Sequence, residues 1–167
     1  DYWANVDAVS WFAQKVLPLI RQQVSNAQFY IVGARPCDAV RKLANKEGVH
    51  VTGSVEDIRP YIACADVIVA PMRMARGVQN KVLEAMAMER PVVVTSAAME
   101  GIEKLPGQKI CDDAESCIEY CVQLLTVGDT EKTAVAGRQR VLHDFNWDHN
   151  LIRLESLLGD SDGANSE

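Results

Sequence analysis

Two unbroken apolar runs constrain the fold of this 167-residue chain more than any other feature: Val67-Ile68-Val69-Ala70 and Val92-Val93-Val94, on either side of a helical stretch. A half-exposed antiparallel strand alternates apolar and polar residues, whereas a strand covered on both faces reads as a continuous apolar run. Strands of this kind separated by a helix predict parallel pairing with helices on both sides of the sheet.

The rest of the chain supplies the same alternation. Asn5 is placed to cap a helix in which Val6, Val9, Phe12, Ala13, Val16, Leu17 and Ile20 recur at three- and four-residue steps, with Pro18 kinking its end. A strand is expected over Gln28–Val32, a polar helix over Asp38–Glu47 stopped by Gly48, and a strand over Val49–Thr52. A brief helix over Asp57–Cys64 follows, then a strand over Asp66–Ala70, a helix over Val78–Met88 and a strand over Pro91–Thr95. Helical spacing recurs over Ala114–Leu125, Thr130–Asp144 and His149–Leu158, and the polar tail from Gly159 is expected to be disordered. The fold class is therefore α/β with a doubly wound parallel sheet. A half of this type ordinarily opens with a strand, whereas this sequence opens on a helix and without methionine. The expectation is a domain cut from a longer protein, with its first strand upstream of Asp1.

In such a sheet, ligands bind beyond the carboxyl ends of the strands. The candidate loops are 33–36, 53–56, 71–77 and 96–102. Gly77, Lys81 and Glu84 stand at i, i+4 and i+7 and form one stripe at the start of the expected 78–88 helix, facing away from the core. First-turn amides, the helix dipole and the Lys81 charge suit a diphosphate. The Glu84 carboxylate suits a ribose diol, each charge-assisted hydrogen bond contributing about 1.5 to 3 kcal/mol. The same spacing also fits a surface ion pair between Lys81 and Glu84, a contribution of only about 0.3 to 0.5 kcal/mol. Arg73 and Arg76 in the preceding loop could clamp phosphate oxygens or remain solvated. Gly53 and Val55 offer backbone against a nucleobase, although a tight turn explains that glycine equally well.

Composition excludes several function classes. With 17 basic and 23 acidic residues, a net charge of -6 and a pI near 5.1, the chain lacks the basic surface of a general nucleic-acid binder. Its five cysteines form no Cys-x-x-Cys pair and read as free thiols in a reducing compartment. Cys117 and Cys121, one helical turn apart, read as core. The three histidines show no metal-ligand pattern. Neither a Gly-x-Gly-x-x-Gly nor a P-loop motif is present, nor is a nucleophile–base arrangement. No apolar run reaches bilayer length, and the expected location is cytoplasmic, with peripheral contact at the inner membrane face left open.

The segments 49–55, 65–71, 81–87 and 90–95, in that order and spacing, resemble the carboxy-terminal domain of family 4 glycosyltransferases. The resemblance runs from Asn5-Val6-Asp7 to Phe145-Asn146-Trp147-Asp148, and the Arg76–Glu84 version is most similar to bacterial sugar transferases of exopolysaccharide biosynthesis. It implies a Rossmann-like half of a GT-B enzyme, with residues 1–158 as the nucleotide-sugar (donor) domain and 159–167 as a tail. It further implies a UDP- or GDP-linked donor substrate with no separate cofactor or metal, retention at the anomeric carbon, and a glycan or lipid-linked acceptor held by a second domain. By the same resemblance Glu84 meets the ribose, Lys81 with Arg76 or Arg73 steadies the departing diphosphate, and Gly77, Gly53 and Val55 line the donor. Arg76 stands where the family has the first of two characteristic glutamates. That reversed charge keeps open a second reading, a catalytically lapsed GT-B-like binding or interaction domain. A related epimerase or phosphorylase fits segment 81–87 less well.

Overall fold

The computed structural model describes residues 3–129 and 132–145. The chain enters on α1 (Trp3–Trp11), widens into a π-turn (Phe12–Val16), and continues as α2 (Leu17–Gln23). Proline explains the widening. Pro18 has no N–H with which to continue the ladder, and the Leu17 N–H reaches five residues back to the Phe12 carbonyl. Asn5 lies inside α1, and its side chain turns outward to another element instead of capping, which corrects the sequence expectation.

From there the alternation is as expected: β1 (Phe29–Val32), α3 (Asp38–Arg41) running on as a 3-10 turn (Lys42–Asn45), β2 (Val49–Gly53), α4 (Arg59–Cys64) and β3 (Ile68–Ala70). Next come α5 (Asn80–Ala87), β4 (Val92–Val94), a 3-10 turn (Ala97–Met99), β5 (Lys109–Ile110), α6 (Ala114–Thr126) and α7 (Thr133–Asp144). Several boundaries differ from the sequence reading. Asp57 precedes α4 and accepts the Arg59 N–H at 2.9 Å, and α5 starts at Asn80, two residues later than expected. The two-residue β5 carried too little apolar sequence to register. The expected 149–158 helix and the tail lie outside the described residues.

All pairings are parallel. β1 runs beside β2 with Phe29 opposite Val49, and a bulge brings Val32 opposite Gly53. β4 is central to the second sheet, with Val93 opposite Val69 of β3 and Lys109 of β5. Successive side chains of β4 point to opposite faces, and each face finds its own cover. Val92 and Val94 pack with Val82, Ala85 and Met86 of α5, while Val93 packs with Phe12, Val16 and Ile20 and with Cys117, Cys121 and Leu124 of α6. Burial on both sides is what the unbroken valine run required.

Among the described residues the strand order is β2-β1, then a slot, then β3-β4-β5. Facing edges of β1 and β3 line the slot, and Ile31 and Val69 share one hydrophobic cluster across it. In a doubly wound sheet of order 3-2-1-4-5-6, this slot has the place of strand 1.

Candidate functional site at the carboxyl edge of the sheet

Because β3 and α5 run antiparallel, the loop between them and the first turn of α5 fall at the carboxyl ends of the strands. That loop is fastened from several sides. Buried Thr95, just past β4, donates its hydroxyl to the Met72 carbonyl at 2.6 Å and accepts the Ala98 N–H at 3.2 Å. Glu100 accepts the Gly77 N–H at 3.1 Å, while Gly101, at φ 76°, lies so close to Val78 that an added Cβ would stand 2.8 Å from its methyl group. Ser96 donates its N–H and hydroxyl to the two oxygens of Asp112.

Lys81 is the centre of the site. Its half-buried ammonium donates to Asn5 Oδ1 at 2.9 Å and Gln79 Oε1 at 3.2 Å, and lies 3.8 Å from Met72 Sδ. All three partners are uncharged. Burial pushes its pKa below the usual lysine value, with the Glu84 charge pulling the other way. The expected alternative of a Lys81–Glu84 ion pair is not formed, since no contact within 4.0 Å joins them among the described residues. Glu84, exposed one turn along, has no hydrogen-bond or ion-pair partner among the described residues, and both side chains line a cleft of about 740 Å³ running along the slot between β1 and β3.

A second cleft, about 300 Å³, opens at the carboxyl ends of β1 and β3 and again includes Lys81, with Asn5, Gly33, Arg35 and Met72. Arg35 sits at φ 48°, a left-handed conformation uncommon for a side chain of its size. The sequence singled out its loop but not this residue; a glycine–proline turn gives no sign of which side chain will face the cleft.

The remaining predicted residues are distributed more widely. Arg73 is clasped by both carboxylate oxygens of Asp7 on α1, which holds its pKa above the usual value and fills the fork proposed for phosphate. Arg76 is exposed, and its guanidinium has no partner among the described residues. Gly77 precedes α5 at φ 68° instead of joining its stripe, and its amide is taken by Glu100. Lys81 itself turns inward toward α1, so the three-residue stripe facing away from the core is not formed. Gly53 ends β2 at φ 73° with open space where a Cβ would be, and Val55 is half-buried; neither lines the clefts that hold Lys81.

Among the described residues no cluster of three His, Cys, Asp or Glu side chains could hold a metal, and no helix is long and apolar enough to cross a membrane. The cysteines are free thiols; Cys111, Cys117 and Cys121 form a buried row, and the Cys111 thiol is pushed well up by its hydrogen bond with Cys117 and by burial.

A parallel α/β half with a lysine at its carboxyl edge narrows the field, and comparison decides it. The profile of the family described as Glycosyl transferases group 1 matches residues 1–129. The chain belongs to that family. No curated protein matches it. Among solved structures, it is similar to a glycosyltransferase from Rickettsia africae ESF-5, at a TM-score of 0.64 and 17% identity, covering 89% of this chain and 44% of the other. It is equally similar to Anabaena Alr3699/HepE in complex with UDP and glucose, at 0.64 and 18% identity, covering 90% and 45%. These likenesses establish the Rossmann-like GT-B fold, and this group 1 chain spans less than half the length of either structure.

Proposed function

We propose that this chain is the donor-binding half of a retaining, metal-independent glycosyltransferase that moves a sugar from a nucleotide-sugar to an acceptor held by another domain. The observation that carries the reading is the Lys81 ammonium, half-buried at the carboxyl edge among neutral oxygens, one turn from Glu84, whose carboxylate has no partner among the described residues. An ammonium with no carboxylate in contact attracts an exogenous anion, and a diphosphate brings two charges to it. Glu84 then accepts the ribose hydroxyls. The Asn80 and Lys81 amides, which have no backbone acceptors among the described residues, add the positive end of α5. As the glycosidic bond to the diphosphate breaks, charge grows on the leaving oxygen, and a fixed ammonium stabilises it without reorganising.

The UDP bound to the Anabaena relative supports a uridine nucleotide, and GDP is the alternative. Calorimetric titration with UDP and GDP tests the site. Lys81→Ala and Glu84→Ala should each weaken binding by about tenfold or more, the size of one charge-assisted hydrogen bond. Unchanged affinity in both variants refutes the assignment. Because acceptor groups belong to another domain, this chain alone is expected to bind nucleotide weakly and to turn over nothing.

Arg76 favours a second reading, a lapsed transferase that keeps the fold for binding. Its unpaired guanidinium lies two residues before Val78, where an acidic contact to the donor sugar is expected by resemblance. Sugar transfer by a protein containing both halves, abolished by Glu84→Ala, excludes that reading.

A further inference from the structure

We propose that Asn5 is a positioning residue that holds the Lys81 ammonium in place without neutralising it, so that its charge is left for the diphosphate of a bound nucleotide. The proposal rests on the nucleotide reading above and adds a residue to it. The first turns of α1 present two oxygen-bearing side chains to two cations of the β3–α5 region, and they treat them differently. Asp7 closes on Arg73 with both carboxylate oxygens, cancelling its charge and tying the loop to α1. Asn5, two residues earlier, gives Lys81 one amide oxygen at 2.9 Å.

An ammonium has three protons to donate, and here Asn5 Oδ1, Gln79 Oε1 and Met72 Sδ lie around it. If the contact served only to fix the helix, an aspartate would serve better, because a carboxylate makes the stronger hydrogen bond to a cation. Asparagine has almost the same shape and supplies position without opposite charge. The charge acting on Lys81 is Glu84 on its own helix, Arg35 lines the smaller cleft with it, and the carboxylate of Asp7 on α1 is engaged by Arg73. No carboxylate therefore competes with a ligand for direct contact with the ammonium among the described residues.

The test compares Asn5→Asp and Asn5→Ala with the wild-type chain in two measurements: calorimetric affinity for UDP, and the Lys81 pKa followed by NMR of ¹³C-labelled lysine. Asn5→Asp should raise the Lys81 pKa and lower UDP affinity about tenfold, as a charge-assisted contact is diverted to the new carboxylate. Asn5→Ala should lower the pKa, because the charged form loses an acceptor, and should also weaken UDP. Opposite pKa shifts with affinity lost in both variants are the expected result; a purely structural role would leave UDP affinity intact in the near-isosteric Asn5→Asp, whatever the Lys81 pKa does. UDP binding that Lys81→Ala abolishes but Asn5→Asp leaves intact overturns this proposal alone. UDP binding indifferent to Lys81→Ala overturns the nucleotide reading and this proposal with it.

Discussion

Lys81 gives the site its pH dependence, and the sign follows from its surroundings. Burial disfavours the ammonium more than Glu84 restores it, so the folded pKa lies below 10.5. A diphosphate needs the charged form. UDP affinity should therefore hold near neutral pH and fall as pH rises through that lowered pKa, before an ordinary lysine would titrate. Stability moves the other way: between the folded pKa and 10.5 the unfolded chain binds more protons at this residue, so its contribution to stability rises with pH. Calorimetry and urea unfolding across this range check both signs, and Lys81→Met should remove both trends. The placement of Lys81 and Glu84 one turn apart on α5 was legible in the sequence because helical spacing is local. Asn5 and Asp7 were not, because their partners lie 76 and 66 residues away, and nothing near Asn5 shows that its side chain leaves its own helix. The Arg73 phosphate role was suggested by the same local reading, and the distant Asp7 accounts for its different placement.

At the level of elements, the strands at 29–32, 49–53, 68–70 and 92–94 were readable, the last because burial on both faces leaves a continuous apolar run, whereas the two-residue β5 was not. Element ends depended on contacts that a linear pattern does not hold. Val78 looks like the first apolar position of α5, yet the helix begins at Asn80 because Gly77 and Val78 are pinned to the next loop by Glu100 and Gly101. This junction carries a prediction. Gly101→Ala places a Cβ against the Val78 methyl and strains a backbone at φ 76°, which should cost about 1 to 3 kcal/mol in urea unfolding. It should also weaken UDP, because the turn leading into α5 shifts with Val78. Loss of stability with unchanged UDP affinity would separate the loop junction from the site.

On the scale of the whole molecule, the sheet is two parallel pieces flanking a slot, and both clefts that include Lys81 open along it. The chain spans under half the length of its structural relatives, and donor binding is the direct assay of the proposed function. The central claim is that a nucleotide diphosphate meets Lys81 at the carboxyl edge of this half. Chemical-shift mapping with UDP tests it most directly: the account predicts perturbations concentrated at Asn5, Gly33–Arg35, Lys81 and Glu84, including the Lys81 side-chain signal. Saturable shifts confined to other faces of the molecule, with the Lys81 signal unmoved, would contradict it.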